Sequence, residues 1–277
     1  MTKTLIVGAQ KAGSTSTQYF LSRFFSTSMD ETADYADLLT SGHELFKDPR
    51  LVGSARRQEQ FAETMQGFNG DLVCIFMWRH PIERFLSSYF HSISYGIVPH
   101  ISIKRYIRMY GDGELVDRFP TFPRILEPLL FSRYSEGLKF LSQTPGVKVI
   151  ACDFKKMVDS PVYRYSLLAQ LGVPVSSGLL DLNLPHEQKS PKGHLASVVA
   201  KRSRSMNHLL SPEGAQRLSV SRMRESGADA LMALSARLST NSPLSDQAER
   251  HLDGIFEEDH RRTMEILDGV HERPLLL

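Results

Sequence analysis

Apolar residues in this chain come as short continuous runs, separated by longer stretches with a helical repeat. Residues 3–7 (KTLIV) are the first run and predict a buried strand, closed by Gly8. A glycine-containing loop follows through Gly13. Residues 14–25 (STSTQYFLSRFF) predict a helix, with Tyr19, Phe20, Phe24 and Phe25 near the 3.6 period. Strand, glycine loop and helix in that order open an α/β fold.

The second run, residues 71–78 (DLVCIFMW), is apolar without alternation, as a strand covered on both faces should be. Pro81 suits the first position of a helix, which extends to about Tyr95 with Phe85, Ser88, Tyr89 and Ser92 along one side. Residues 124–141 predict another helix and residues 147–152 (VKVIAC) a third buried strand. A helix over 161–171 stops at Gly172 and Pro174. Residues 179–194 are polar and loop-like. Residues 247–267 predict a helix with Leu252, Ile255, Phe256, Thr263, Ile266 and Leu267 on one face. The stretch 201–246 is less regular, its first forty residues rich in Ser, Arg and Met, and is expected to be a helical insertion or lid. The strands lie between residues 3 and 152 with helices among them. One α/β domain over residues 1–277, with a central, mostly parallel sheet, is therefore expected.

Composition narrows the function. Of 277 residues, 41% are hydrophobic and 23% charged, which supports a full core and excludes a disordered chain. Lys and Arg total 33 against 31 acids, a net charge of +2. So balanced a chain has no general attraction to nucleic acid or membrane surfaces, and any anion site must be local. The longest apolar run has seven residues, whereas a membrane span needs about 20. No secretory leader pattern precedes the first strand, and a cytoplasmic location is expected. Cys74 and Cys152 lie inside apolar runs and are expected to be buried thiols. Neither CxxC nor HExxH occurs, so no metal is expected.

The candidate chemistry begins with GAQKAGSTS, residues 8–16. A loop between a strand and a helix presents successive backbone N–H groups, and the helix end adds partial positive charge, so phosphate or sulfate is held there. Gly8 and Gly13 permit the backbone path; Ala12 continues it; Ser14, Thr15 and Ser16 add hydroxyl donors; Lys11 adds a full charge. The glycines have Walker A spacing, but Ser14 stands where the Walker lysine would be, and the lysine is two residues before the second glycine.

That lysine position resembles the PKxGTTxL loop of sulfotransferases that use 3′-phosphoadenosine 5′-phosphosulfate, with Lys11-Ala12-Gly13-Ser14-Thr15 matching the KxGTT core. Gln10 and Thr17 replace the family's proline and leucine. RHPIERFLSSYFH, residues 79–91, resembles the family's RxPxxRxxSxY motif, with Arg79, Pro81, Arg84, Ser87 and Tyr89 all in place. The resemblance implies a P-loop-NTPase-like fold and gives Arg79 and Ser87 the 3′-phosphate of the donor. DETADY, residues 30–35, resembles the segment of carbohydrate sulfotransferases that carries the catalytic glutamate, here Glu31; Asp30 replaces a lysine and one residue is inserted. Lys192-Gly193 resembles part of a KGR cofactor loop, with His194 for the arginine. Segments within 132–174 and 255–267 resemble later parts of the family.

The implied reaction moves a sulfuryl group to an acceptor hydroxyl or amine, leaving adenosine 3′,5′-bisphosphate, without a metal. Such transfer should resemble phosphoryl transfer in relying on positioning and charge stabilisation. Lys11 would neutralise the departing 5′-phosphate and Glu31 would take the acceptor's proton, with His43, Glu44 and His91 as rival bases. Lys201, Arg202 and Arg204 could touch an anion or form a solvated face. Phe46, Tyr95, Tyr106, Tyr110 and Phe122 could line an apolar pocket or pack in the core. The acceptor, whether sugar, lipid or small molecule, stays open. So do two other classes: a kinase-like phosphotransferase, which needs a Mg²⁺-holding aspartate such as Asp153, and a non-catalytic nucleotide-binding module.

Overall fold

The protein is seen in a computed structural model that describes residues 2–8, 12–27, 35, 40–174 and 246–271. Four strands form one sheet in the order β2-β1-β3-β4: β1 Lys3–Val7, β2 Leu45–Asp48, β3 Leu72–Trp78 and β4 Val147–Asp153. Every pairing is parallel, with Leu5 opposite Phe46 on one side and Cys74 on the other, and Cys74 opposite Val149. Contacts divide the chain into two compact units. One comprises Met1–Arg84, Phe131–Glu187 and Phe256–Leu277; the other comprises Phe85–Leu130 and Gln188–Ile255.

The first unit holds the sheet, and alternate side chains of each strand feed two cores. Leu5, Val7, Cys74, Phe76 and Ala151 pack with Phe61 and Met65 of α2 (Ala55–Gln66), with Leu138 and Leu141 of α7 (Ser135–Gln143), and with Leu267. Ile6, Val73, Ile75, Met77, Ile150 and Cys152 face the opposite core. There they meet Phe20 and Leu21 of α1 (Ser14–Leu21), Met157 of α8 (Phe154–Asp159), and Leu167 and Leu168 of α9 (Pro161–Gln170). Coverage on both faces is why these strands read as unbroken apolar runs. Both cysteines are free and buried, and burial pushes the Cys152 thiol up to about 12.

The second unit takes most of α3 (Pro81–Ser94), together with α4 (Ile103–Gly111), α5 (Leu115–Arg118) and α6 (Glu127–Leu130). Its core is aromatic. Phe85, Tyr89 and Tyr106 are fully buried, with Tyr89 and Tyr106 ring centroids 5.0 Å apart. The hydroxyls donate to backbone carbonyls, Tyr106 to Ile125 at 2.5 Å and Tyr89 to Ile101, so burying two phenols leaves neither unsatisfied.

Two expectations are corrected, and one strand is added. The helix over 14–25 ends at Leu21, where Ser22 folds its hydroxyl back onto the Tyr19 carbonyl. The helix over 124–141 is two short ones, α6 and α7. The second is begun from outside: Asp259 of α10 (Asp246–His271) accepts from Tyr134 N at 2.7 Å, Ser135 N at 3.2 Å and Ser135 Oγ at 2.5 Å. A carboxylate 124 residues away thus satisfies first-turn donors that no neighbouring side chain reaches. The polar stretch before residue 50 contains β2. Its Asp48 is buried because Tyr35 Oη (2.5 Å) and Arg50 N (2.8 Å) donate to it and Arg57 Nε lies 3.7 Å away. The stretch 179–194 and nearly all of 201–246 lie outside the described residues. Among the described residues no helix is long and apolar enough to cross a membrane.

Asp259→Ala should destabilise the fold by about 2–3 kcal/mol, adding a lost cap to an unsatisfied buried Ser135 hydroxyl. Asp259→Asn should lose less. Urea unfolding midpoints measure both, and an unchanged midpoint for the alanine variant would mean that α7 does not depend on this cap.

Candidate anion-binding site at the carboxyl edge of the sheet

From β1 the chain goes to its neighbour β2, then crosses to β3 on the other side of β1. The carboxyl ends of β1 and β3 therefore form a topological switch point, where open α/β sheets bind ligands. Gly8 follows β1 and Arg79 follows β3, so both sequence motifs start there. At Gly8 (φ 138°) an added Cβ would lie 2.8 Å from Met77 Cβ and from the Met77 carbonyl oxygen, so the chain can leave β1 here only without a side chain.

Gly13 caps α1 in a left-handed conformation (φ 95°), with no side-chain cap hydrogen bond among the described residues. The first turn holds no acid. Ser14 is buried, while Thr15 and Ser16 are half-buried. Three backbone N–H groups and the positive end of the helix are thus arranged for an anion. Ala12 is buried in the core beneath. An added Cβ at Gly13 would come 2.0 Å from the Phe154 ring.

Arg79 is half-buried. Its Nε donates to Glu83 at 3.2 Å, and its guanidinium carbon lies 5.6 Å from the Phe154 ring centroid. The Glu83 ion pair is more than half exposed on the acid's side and is of a kind worth about 0–1 kcal/mol. Two other residues of the 79–91 segment face inward. Arg84 is fully buried and donates to Ser132 Oγ at 2.8 Å, and Tyr89 belongs to the aromatic core. Ser87, half-buried, and His91, whose ring lies 4.3 Å from that of Tyr95, sit on the part of α3 that belongs to the second unit.

A cavity of about 320 Å³ opens at the ends of β3 and β4, lined by Trp78, Asp153, Lys156, Tyr163, Met264 and Leu267 among others. Trp78 stacks on His260 (6.1 Å, 16°), and His80 lies 5.3 Å from His260. Burial, then the neighbouring His80, holds the His260 pKa below the ordinary histidine value. Asp153, the carboxylate a kinase would need for Mg²⁺, uses Oδ1 to cap α8, accepting from Lys155 N at 2.8 Å and Lys156 N at 3.1 Å.

The candidate bases are distributed unevenly. His43 and Glu44 precede β2 and sit at its amino end, where Lys3 Nζ donates to the His43 carbonyl and Ser26 N to the Glu44 carboxylate. A four-residue strand separates them from the carboxyl edge, roughly 13 Å at about 3.3 Å per residue. The structure therefore does not bring His43 or Glu44 to the loop. Glu31 and Lys11 lie outside the described residues, as do Lys192, Gly193, Lys201, Arg202 and Arg204. Tyr35, the last residue of DETADY, is fixed to Asp48 at the carboxyl end of β2 and packs edge-on against Phe61. Of the aromatic pocket candidates, Phe46 and Tyr106 are core residues and Tyr95 is exposed.

No protein-family model, curated protein or solved structure matches the chain. Sequence reasoning missed Phe154 and the Trp78–His260 stack. Phe154 is only the first residue after a strand, and His260 one of ten scattered histidines; neither carries a local signal.

Because the His260 pKa is lowered in the fold, the unfolded chain takes up a proton at higher pH than the folded one. The contribution is present above the unfolded value, about 6.5, and is lost as pH falls through the lowered one. His260→Phe keeps a ring on Trp78 and does not titrate, so it should remove that part of the acid sensitivity. Chemical unfolding at about pH 7.5 and about pH 5.5 tests this; identical pH dependence in both proteins would reject it.

Proposed function

We propose that the protein is a sulfotransferase of P-loop-NTPase-like fold that uses 3′-phosphoadenosine 5′-phosphosulfate. The observation that carries the reading is that two anion-binding elements, the uncapped α1 end and Arg79, meet at one switch point, where both touch Phe154. The residues fit such a donor. Gly13 turns the chain into α1 in a left-handed conformation, the first turn of α1 carries no acid, and Arg79, which follows the neighbouring strand, pairs with surface Glu83 and meets a ring face. Two phosphates of one nucleotide need two such elements, whereas a single anion needs one.

The donor supplies an activated sulfuryl group with a phosphate as leaving group. The chain's own residues bind and neutralise. Amides and hydroxyls of Ser14, Thr15 and Ser16 hold the 5′-phosphate, and Lys11 balances charge growing on its oxygen. Arg79 offers its planar fork to the 3′-phosphate, the role the resemblance also gives to Ser87. Lys192 and Gly193 contribute to the nucleotide site by the same resemblance. Glu31 accepts the proton of the acceptor hydroxyl or amine. His91 is the remaining rival base.

Saturating adenosine 3′,5′-bisphosphate should raise the melting temperature, since a ligand at 100-fold over Kd stabilises by about 2.7 kcal/mol. Arg79→Ala should weaken that ligand by about 1.5–3 kcal/mol while changing adenosine 5′-phosphosulfate, which lacks the 3′-phosphate, far less. Absence of a thermal shift, or equal losses for both ligands, would count against the donor.

Lys11 and Glu31 should separate kinetically once labelled donor and a panel of glycans, phenols, lipids and peptides have identified an acceptor. Lys11→Ala should lower both kcat and nucleotide affinity. Glu31→Gln should keep the affinity and lose roughly 10²–10⁴ in kcat. Normal turnover in Glu31→Gln with none in His91→Ala would move the base to His91.

A further inference from the structure

We infer that Phe154 is a positioning residue that sets the separation between the α1 loop and Arg79. The inference rests on the proposed function only for the identity of the two phosphates it aligns. Neither sequence motif contains the residue that relates one to the other. The first turn of α1 follows β1 and Arg79 follows β3, and Phe154 follows a third strand as the first residue of α8 after β4.

Its backbone is fixed from several directions. Asp153 caps α8 through Lys155 N and Lys156 N, and Asp153 N donates to Tyr163 Oη at 2.9 Å. The ring is partly buried against the core formed by Ile6, Ala12, Met77 and Cys152. One edge occupies the space a side chain at residue 13 would fill, with Cδ2 and Cε2 at 2.0 and 2.3 Å from an added Cβ. Residue 13 is thus glycine for two independent reasons, its left-handed φ of 95° and this ring. The ring also meets the Arg79 guanidinium, 5.6 Å from its centroid. One rigid side chain therefore touches both anion-binding elements.

The energetic gain of the cation–ring contact is modest; its effect is to restrict the arginine. A free arginine has many rotamers, and a ring face together with Glu83 holds the fork on one side of the switch point before ligand arrives. For a reaction that depends on in-line alignment, this matters more than affinity, because a shift of about 1 Å at a reacting centre can cost on the order of 10²-fold in rate. Phe154 forms and breaks no bond; it acts through Gly13 and Arg79.

The test compares wild type, Phe154→Leu and Phe154→Tyr. Leucine fills the core without a ring face, and tyrosine keeps the ring. Calorimetry gives the affinity ratio of adenosine 3′,5′-bisphosphate to adenosine 5′-monophosphate, which isolates the contribution of the 3′-phosphate. Phe154→Leu should lower that ratio by roughly 2–5-fold, the scale of an exposed cation–ring contact, and Phe154→Tyr should restore it. A residue that merely packs would lower the melting temperature and leave the ratio unchanged, and an unchanged ratio overturns the inference. Should neither nucleotide bind wild type, the donor reading fails, and the ligand-free protein decides. Loss of the ring-induced shift of the Arg79 Nε–H resonance, with faster exchange of the Gly13–Thr17 amides in Phe154→Leu, supports the positioning role; unchanged spectra overturn it.

Discussion

The site depends on how closely the chain passes its neighbours at the carboxyl edge of the sheet. At Gly8 there is no room for even a methyl group between the chain leaving β1 and Met77 of β3, and at Gly13 the same holds against the Phe154 ring. These two close approaches bring the end of α1 down onto the sheet. They fix its first turn where the helix dipole and free N–H groups act on the switch point rather than on bulk solvent. The surrounding core is the support. Ala12, Phe20 and Met77 are all buried in the core on this face of the sheet.

In a chain with a net charge of +2, the candidate site rests on local arrangement. The second motif illustrates the division of labour. Arg79 stays at the surface, restrained by Glu83 and Phe154, while Arg84 and Tyr89, equally prominent in the motif, satisfy buried partners and hold α3 in place. A charged residue in a ligand-binding pattern is thus not necessarily a ligand contact. In Arg84 the charge is buried and hydrogen-bonded, and removing its partners would leave it uncompensated.

Helix α10 joins this region from far along the sequence. Asp259 begins α7, His260 stacks on the residue before Arg79, and Leu267 enters the core. Successive residues of one helix turn therefore serve a cap and a stack beside the candidate site. The carboxyl edge is consequently sensitive to residues that no local motif would single out.

Among the described residues the sequence by itself determined three of the four strands, because the central positions of β1, β3 and β4 are covered on both faces and form short apolar runs. It also determined the strand–loop–helix order of the two candidate motifs, because the apolar runs, the glycines and Pro81 are local signals. The fourth strand was decided only by the tertiary structure. LFKD reads as polar until Tyr35 and Arg57 arrive to satisfy Asp48. The same is true of the break before α7, whose cap comes from Asp259, and of α2, whose buried stripe is only Phe61 and Met65. The exclusion of His43 and Glu44 from the carboxyl edge follows from strand direction, which a sequence does not display. The place of Phe154 between Gly13 and the arginine has the same origin: contacts between residues that follow three different strands are set by pairing order and register, and those exist only once the sheet has formed.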